Sequence, residues 1–463
     1  MGRYFGTDGF RGEANENLTA DHAYKVGRFL GWYYGELKRQ KGDDTPAKIV
    51  IGKDTRRSSY MFEYSIVGGL TASGADAYLL HVTTTPSVAY IARVDEFDCG
   101  IMISASHNPY YDNGIKLING NGEKMDEDTV ALIEDYLDGK LSVFGQTWET
   151  LPLAQRDHIG RTVDWSAGRN RYVGYLISLG MFSFKGKKVG LDCANGSAWM
   201  IARSVFDALG ATTYVMGDEP DGFNINNGVG STHIEALQRF VVEKGLDVGF
   251  AYDGDADRCL ACDEKGREMD GDKIIALLAM TMKEKDRLDG DTAVVTVMSN
   301  LGFIKYMESQ GIHTEKTAVG DRYVLENMRE NGFAIGGEQS GHVILLHHAT
   351  TGDGELTAGK LLKLLAESGK KMSELNGIYE QYPQVLVNVT ANAAQKAAYK
   401  EDEVLAGFIE NEQQKLMGMG RVLVRVSGTE PKLRVMVEGQ DLEAIHRCAD
   451  RIVEKINKRI LKQ

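Results

Sequence analysis

At 463 residues the chain is too long to fold around one hydrophobic core, and at roughly 100–150 residues per domain it predicts three or four domains. Hydrophobic residues make up 43% of the chain and charged residues 26%, which is typical of globular proteins, and only seven prolines argue against disordered linkers. The net charge of −13 excludes a general binder of nucleic acids or anionic membranes, since both need a basic surface.

The N-terminal segment MGRYFGTDGFRG has no apolar signal core, and no window approaches the roughly 18–20 apolar residues of a membrane span. Five cysteines, an odd number in a long chain, do not form a disulfide framework. These features predict a cytoplasmic protein that has neither a membrane nor a nucleic acid as its partner.

One series of predicted elements occurs three times: a short β-rich run, polar residues, a helical stretch and a second apolar run. The copies begin at KIVIGKDTRRSS (48–59), KKVGLDCANGSA (187–198) and TAVVTVMSNLGF (292–303). Strand, turn, helix and strand in this order are typical of a right-handed crossover in a mainly parallel sheet. Copies this far apart indicate three similar α/β domains with mixed, mainly parallel sheets, rather than a short-period repeat.

The last part of the chain has a different order. From about residue 385 it runs strand (VLVNVTA), helix, strand (GRVLVRVS), strand (KLRVMVEG) and the amphipathic helix LEAIHRCADRIVEKINKRI. This order predicts a small α+β domain with an antiparallel sheet. We place the four domains at 1–155, 156–257, 258–374 and 375–463, arranged around a central cleft, where binding sites are common.

The first polar motifs lie in the first domain. GTDGFRG (6–12) holds Arg11 between glycines, where it can point at a phosphate, but this motif alone indicates little. ISASHNPYYDNGIK (103–116) places Ser106 beside His107. Adjacent residues on an extended chain face opposite sides, so we do not expect this pair to act as nucleophile and base, and no GxSxG elbow is present. The stretch is either a polar turn with a buried histidine or the site of a serine that carries a phosphoryl group.

Three aspartates alternate with small residues in DGDADR (253–258), directly after the predicted strand LDVGFAY. Asp253, Asp255 and Asp257 in an extended loop can converge on one hard cation, and Mg²⁺ prefers oxygen ligands. The alternative is a solvated acidic turn. An EF-hand is excluded, because Arg258 stands where such a loop needs glycine. The strict alternation and the neighbouring arginine favour a magnesium site.

Two later motifs offer contacts to a sugar phosphate. GGEQSGH (336–342) puts a carboxylate, an amide and a hydroxyl on a glycine-flanked loop that suits sugar hydroxyls, although a simple turn fits equally well. RVSGTEPKLR (425–434) offers hydroxyls and backbone N–H groups between arginines, which is either a nest for a phosphate dianion or a hairpin turn with surface arginines. CLAC (259–262) lacks the second cysteine pair of a zinc site, and GELTAGKL (354–361) lacks the Ser/Thr of a phosphate loop and predicts a helix.

Together these motifs, in this order and across essentially the whole chain, resemble the α-D-phosphohexomutase superfamily. The resemblance implies that Ser106 is phosphorylated in the active enzyme and that, with Asp253, Asp255 and Asp257, it holds one Mg²⁺. It also implies basic groups around the reacting phosphate, and further residues that bind the sugar and its second phosphate. The basic groups are Arg11, His107, Lys116 and Arg258. The substrate-binding residues are Glu338, Ser340, Arg322 of VGDRY, Arg425, Ser427, Gly428, Thr429 and Arg434.

The implied reaction passes the phosphoryl group of Ser106 to a sugar monophosphate and returns the other phosphate of the resulting 1,6-bisphosphate to Ser106. Gln339 and Ser104 are similar to the branch that acts on glucosamine phosphates, since relatives acting on glucose or mannose phosphates commonly carry Met and Thr there. The resemblance therefore implies a phosphorylated hexosamine as substrate, and Mg²⁺ with glucose or glucosamine 1,6-bisphosphate as cofactors. It also implies a supply of precursors for UDP-N-acetylglucosamine and the cell wall, and it leaves a homodimer open.

Three other functions compete with this interpretation. One is a phosphoglucomutase/phosphomannomutase, which differs only in the sugar. Another is a magnesium-dependent sugar phosphatase, in which the phosphoryl group of Ser106 goes to water. The third, a catalytically silent binding protein, is disfavoured by the intact set of motifs.

Overall fold

The chain forms two compact units in the computed structural model, which describes residues 2–179, 183–427 and 431–461. The first unit comprises Met1–Met298 and Ile312–Gly377, and the second comprises Ser299–Gly311 and Ile378–Gln463. The first unit contains three α/β sheets and the second contains one antiparallel sheet. The predicted fold class, three similar α/β domains and a C-terminal α+β domain, is confirmed.

The first sheet has seven strands, and a two-stranded hairpin accompanies it. The strands are β1 (Phe5–Gly6), β2 (Gly9–Glu13), β3 (Lys48–Lys53), β4 (Asp76–Val82), β5 (Cys99–Ile103), β6 (Asp112–Asn119), β7 (Ser142–Val143) and β8 (Gln146–Thr147) of the hairpin, and β9 (Thr162–Asp164). The helices are α1 (Ala20–Gln40), α2 (Arg57–Ala72), α3 (Thr85–Val94) and α4 (Glu127–Leu137). The order is β1-β2-β6-β5-β3-β4-β9, with β3 parallel to β4 and β5, and β5 antiparallel to β6. Strand β5 is buried throughout, as expected for a central strand covered on both faces.

The second sheet has the order β11-β10-β12-β13-β14. Its elements are α5 (Ser166–Leu179), β10 (Lys188–Asp192), α6 (Ala202–Ala208), β11 (Thr212–Met216), α7 (Ile234–Lys244), β12 (Val248–Tyr252), β13 (Cys259–Asp263) and β14 (Glu268–Met269). Strand β13 turns back antiparallel to β12, so the sheet continues to residue 269. By sheet membership the first two domains therefore each extend some ten residues past the positions 155 and 257 placed from sequence.

The third sheet has the order β16-β15-β17-β18. This region contains α8 (Gly271–Glu284), β15 (Thr292–Thr296), α9 (Leu301–Ser309), β16 (His313–Thr317), α10 (Asp321–Asn331), β17 (Ile335–Gly337), β18 (Val343–Leu345), α11 (Gly354–Ser368) and α12 (Met372–Asn376). Helix α9 belongs to the second unit, and GELTAGKL lies in α11, as its helical pattern predicted.

The three sheets share one arrangement. In each, a central strand has a parallel partner on both sides, and one of those partners continues into an antiparallel hairpin. The hairpin turns are residues 104–111, 253–258 and 338–342. The serine, aspartate and GEQSGH motifs therefore occupy equivalent positions in three copies of one architecture.

The second unit is built on strands β19 (Gln384–Thr390), β20 (Gly420–Val426) and β21 (Lys432–Gly439), in the antiparallel order β19-β21-β20. Its further helices are α13 (Ala393–Glu401), α14 (Glu403–Gln414) and α15 (Leu442–Ile456). Helix α15 buries Ile445, Cys448, Ile452 and Ile456 in the core of this unit. All five cysteines of the chain are buried and unpaired, as expected from their number. Across the described residues, every helix is too short or too polar to cross a bilayer.

Candidate active site

Ser106 lies in the turn between β5 and β6 with its backbone in the left-handed region, at φ 53°, and only 1% of the residue is exposed. Its N–H donates to Ser104 Oγ at 2.9 Å, and its Oγ donates to Asp253 Oδ2 at 2.5 Å. Gly254 lets the two loops touch, because a Cβ there would lie 2.5 Å from the Ser106 carbonyl oxygen. The serine loop and the aspartate loop thus form one buried site.

The expectation that Ser106 and His107 face opposite sides is wrong. It assumed an extended chain, whereas the left-handed turn brings Ser106 Oγ within 3.3 Å of His107 Nδ1. Arg258 Nη1 donates to the same Nδ1 at 3.0 Å, so this nitrogen is an acceptor. Burial, with the charges of Arg258 and Arg11, lowers the pKa of His107 to about 4. His107 is therefore neutral near pH 7, and its Nδ1 lone pair is already used by Arg258.

The three aspartates are buried together, with one ligand oxygen from each within 4.8 Å of the others. Burial, reinforced by Asp257 and Asp255, raises the pKa of Asp253 to about 8. Asp255 Oδ1 and Asp257 Oδ1 are buried without a hydrogen-bond partner. Buried carboxylate oxygens are normally satisfied, and mutual repulsion makes this arrangement costly unless a cation offsets it. The donor set therefore fits one hard divalent cation such as Mg²⁺.

Lys116 on β6 lies against the outer side of this cluster. Its Nζ donates to Asp255 Oδ2 at 2.5 Å and to Asp257 Oδ2 at 3.0 Å. Burial opposes its charge, but Asp255 and Asp257 outweigh burial and raise the pKa of Lys116. Burial likewise opposes ionisation of Asp257, yet Lys116 and His342 hold the pKa of that carboxyl well below its usual range. Lys116 is thus a fixed cation beside the aspartate triad.

The GEQSGH loop forms the turn between β17 and β18 and meets the aspartate loop, since the Cys259 N–H donates to the Gly341 carbonyl at 3.0 Å. Glu338 Oε1 accepts from the Gly320 N–H at 3.1 Å, and its Oε2 lies 3.5 Å from Ser340 Oγ. Gln339 donates its amide to Asp270 Oδ2 at 3.0 Å. Gln339 therefore ties this loop to Asp270, and Glu338 and Ser340 contact each other within the loop.

Sequence reasoning missed a chain of charges that joins the first and third domains within the first unit. His342 is buried with Nδ1 3.8 Å from Asp257 Oδ1 and Nε2 3.5 Å from Asp321 Oδ2. Lys124 Nζ lies 2.5 Å from Asp321 Oδ1 and 3.5 Å from Asp8 Oδ1, and Asp8 is 3.5 Å from Arg11. Asp8, Asp321 and His342 lie inside motifs that were noticed, whereas Lys124 stands in no motif.

Arg322, beside Asp321, is engaged with two carboxylates. It donates through Nη1 to Glu127 and through Nε to Glu326, both at 2.6 Å. Both ion pairs are partly exposed, and such pairs contribute little stability. Arg322 lines a cavity of about 470 Å³ between the first and third domains, with Lys124 and His342.

In the second unit, Arg425 on β20 stands directly opposite Arg434 on β21. The Ser427 N–H donates to the Lys432 carbonyl at 2.9 Å, and Lys396 Nζ donates to the Ser427 carbonyl at 2.8 Å. This end of the hairpin concentrates positive charge, which suits an anion. Gly428 and Thr429, also predicted to bind substrate, lie outside the described residues.

The N-terminus of α11 supports the aspartate loop from behind. The Gly354 N–H donates to the Ala256 carbonyl at 3.0 Å, and Tyr172 donates to Asp353 at 2.8 Å. Glu355 is 1% exposed, and its Oε1 has no hydrogen-bond partner. Burial, and then the charge of Asp353, raise the pKa of Glu355 well above its usual value.

Replacing Glu355 with glutamine should flatten the pH dependence of stability. The folded protein holds the proton of Glu355 to a higher pH than the unfolded chain does. The stability that protonated Glu355 contributes is therefore full below about pH 4, and it is lost as the pH rises towards the pKa of the folded state. Thermal unfolding of Glu355→Gln and the original chain at pH 5 and pH 8 should show a smaller decline in the variant. Glu243→Gln, an exposed carboxyl on α7, is the control and should behave like the original chain. Equal pH dependence in all three proteins would contradict the prediction.

The chain is similar to known proteins over nearly its whole length. Four family models, described as phosphoglucomutase/phosphomannomutase, match in chain order: alpha/beta/alpha domain I over residues 2–142, domain II over 170–266, domain III over 270–382, and the C-terminal domain over 386–455. The phosphoglucosamine mutase of Lachnospira eligens is 58% identical over 456 residues, which cover 98% of each chain. That of Caldicellulosiruptor saccharolyticus is 50% identical over 461 residues, covering 99% of this chain and 100% of the relative.

Solved structures share the fold at low identity. A phosphoglucomutase/phosphomannomutase family protein from Burkholderia thailandensis aligns with a TM-score of 0.79 at 22% identity, covering 99% of both chains. N-acetylphosphoglucosamine mutase of Aspergillus fumigatus, solved in complex with GlcNAc-6P and magnesium, aligns with a TM-score of 0.68 at 19% identity, covering 98% of this chain and 95% of that one. The shared fold therefore extends over nearly the whole chain.

Proposed function

The chain belongs to the phosphoglucomutase/phosphomannomutase family, and we propose that it interconverts glucosamine 6-phosphate and glucosamine 1-phosphate. Relatives at 46–58% identity over nearly their full length carry the name phosphoglucosamine mutase. The observation that carries the proposal is the contact of Ser106 Oγ with a buried triad of aspartates that has two oxygens without partners.

In this proposal Ser106 is a phosphoryl carrier. The bond between phosphorus and Ser106 Oγ breaks while a new bond forms to the free hydroxyl oxygen of the sugar monophosphate. The proton that this hydroxyl loses is balanced by the one that Ser106 Oγ gains, so the serine ends as a neutral hydroxyl. A 1,6-bisphosphate results, and the reverse transfer of its other phosphoryl group regenerates phosphorylated Ser106. Because the phosphoryl group carries negative charge, its transfer needs cations in this site. Lys116 and Arg258 supply two of them.

Asp253, Asp255 and Asp257, with the phosphate on Ser106, would hold Mg²⁺, which supplies positive charge that polarises the phosphoryl oxygens. Lys116 remains protonated beside the triad and faces the same group. The Arg258 N–H donates to Asp253 Oδ1, and its guanidinium donates to His107 Nδ1. Burial and then the charge of Arg258 lower the pKa of His107, so the imidazole stays neutral while Arg258 adds its own positive charge to the site. In this proposal positioning and electrostatics do most of the catalysis.

Glu338, Ser340 and Arg322 would contact the sugar. Arg425, Ser427, Gly428, Thr429 and Arg434 would bind the phosphate that is not being transferred. Since the sugar has to bind in two orientations, its hydroxyl contacts cannot be strictly directional. A paired carboxylate and hydroxyl on one loop, as in Glu338 and Ser340, meet that requirement, because together they both accept and donate hydrogen bonds.

The proposal predicts that protein carrying phosphate on Ser106, verified by intact mass, converts glucosamine 6-phosphate with a higher kcat/KM than glucose or mannose 6-phosphate. Conversion should need only a trace of 1,6-bisphosphate, and release of free phosphate should be far slower than isomerisation. Preference for glucose or mannose phosphate would instead assign the chain a phosphoglucomutase/phosphomannomutase activity. Phosphate release as fast as isomerisation would indicate a phosphatase.

A further inference from the structure

Arg56, at the end of the segment that joins β3 to α2, is completely buried under the Ser106 loop. Its guanidinium has five N–H donors, and the contacts use all of its nitrogens. Nη2 donates to the carbonyl oxygens of Ser106 at 2.8 Å and Asn108 at 3.0 Å. Nη1 donates to the carbonyl oxygens of Asn108 at 3.0 Å and Pro109 at 2.5 Å. One side chain thus binds three of the four carbonyl oxygens between residues 106 and 109.

The guanidinium is itself fixed in place. Its Nε donates to Asp54 Oδ2 at 2.8 Å, and Asp54 Oδ1 accepts from the Arg56 N–H at 3.0 Å and from Ser59 Oγ at 2.8 Å. The Arg56–Asp54 ion pair is fully buried, so its charge is balanced locally and screened little by salt. The planar guanidinium of Arg56, buried and held by the Asp54 carboxylate, is more rigid than a lysine side chain at this position would be.

A second donor reaches the same oxygens from the second domain. Asn226 Nδ2 donates to the Ser106 carbonyl at 2.9 Å and to the Asn108 carbonyl at 3.2 Å. The Ser106 carbonyl therefore accepts from two buried side chains, which fixes the peptide plane that follows the serine. Because Ser106 has a φ of 53°, rarely adopted outside glycine, its conformation persists only if the surroundings impose it.

We propose that Arg56 and Asn226 form a clamp on the Ser106 carbonyl that directs the serine oxygen at Asp253. Both are positioning residues: they contact the backbone of the loop and not the reacting atoms. The inference rests on the proposed function, since its consequence is measured as phosphoryl transfer. Glu338 and the other sugar contacts lie on different loops, so loosening the clamp should slow transfer and leave sugar binding unchanged.

The experiment compares Arg56→Lys, Asn226→Gly and Arg28→Lys. Lysine has three donors on a flexible stem and cannot bind all the oxygens that Arg56 binds. Glycine at 226 suits the positive φ of 58° there and removes the amide donor. Arg28 is the matched control: it is 5% exposed, lies in the same domain and donates to carbonyl oxygens of residues 72, 151 and 152, but touches nothing in the site.

Arg56→Lys should lower kcat for glucosamine 6-phosphate by about 100-fold with KM unchanged, as expected when a reacting group is misdirected by about 1 Å. Asn226→Gly should lower kcat in the same way but less, and it decides the matter if Arg56→Lys does not fold. Arg28→Lys should lose thermal stability while keeping its kcat. Transfer from phosphorylated Ser106 in a single turnover should show the same ranking.

Equal kcat in all three variants, or equal losses in Arg28→Lys and Arg56→Lys, would overturn the clamp. An original chain without mutase activity would instead refute the proposed function, and amide hydrogen exchange would then test the clamp alone. Exchange in a peptide covering residues 104–112 should rise in Arg56→Lys and Asn226→Gly but not in Arg28→Lys. No rise in either variant would overturn the clamp whatever the enzyme does.

Discussion

Replacing Ser106 with alanine should lower kcat for glucosamine 6-phosphate by at least about 10³-fold, because the carrier of the phosphoryl group is removed. The buried site has no second hydroxyl in contact with Asp253 among the hydrogen bonds of the described residues. Incubation with glucose 1,6-bisphosphate should add the mass of one phosphoryl group to the original chain and none to Ser106→Ala. A variant that retains more than a tenth of the activity would contradict the role of Ser106.

Ser106→Gly separates this chemistry from folding. Glycine adopts a φ of 53° without strain, so this variant should unfold at a higher temperature than Ser106→Ala, yet be equally inactive. If Ser106→Gly were active and Ser106→Ala inactive, backbone strain rather than the lost hydroxyl would explain the defect.

Replacing Asp257 with asparagine should abolish the effect of Mg²⁺ on stability and lower kcat by about 10²–10⁴-fold, since a ligand and several kcal/mol of charge stabilisation are lost together. In the original chain, Mg²⁺ at a hundredfold excess over its Kd should stabilise the fold by about 2.7 kcal/mol. Without metal and near neutral pH, Asp257→Asn should unfold at a lower temperature than the original chain. Although burial opposes ionisation of Asp257, Lys116 and His342 hold its pKa below the usual range, so the charged form stabilises the fold. Thermal unfolding in EDTA and in Mg²⁺ measures both effects.

Asp263→Asn is the matched control for Asp257→Asn. Asp263 is also buried, and it ends β13 with hydrogen bonds to Arg267 and Asn376, away from the triad. This variant should unfold at a lower temperature but keep the full rise on addition of Mg²⁺. A full magnesium response in Asp257→Asn would show that the triad does not hold the metal.

The fold was predictable because its signals are local. Each repeated copy opens with a short apolar run, and these runs form β3, β10 and β15. The exact bounds were less predictable, since nothing in residues 259–269 shows that the chain turns back onto β12. That antiparallel pairing depends on contacts across the hairpin.

Within the candidate site, residues of contiguous motifs were named from the sequence, and the distant residues that contact them were not. Ser106 and the three aspartates lie in short, recognisable sequence motifs. Arg56 and Asn226 act through carbonyl oxygens, which every residue has, so no pattern of side chains reveals them. The wrong expectation that Ser106 and His107 face opposite sides has a similar origin. The left-handed backbone of Ser106 depends on donors from elsewhere in the chain, so two adjacent residue types do not reveal it.

The long sequence separation of these contacts has a consequence for biosynthesis. Asn226 follows Ser106 by 120 residues and Asp253 follows it by 147. A ribosome that adds about 5–20 residues per second therefore exposes the serine loop for roughly 7–30 s before its partners have been made. For most of that interval the nascent chain has Arg56 but not Asn226, and it has none of the three aspartates, so it should not accept a phosphoryl group. Chains terminated early should likewise stay inert and consume no bisphosphate, which leaves modification of Ser106 to polypeptides translated past the aspartate loop.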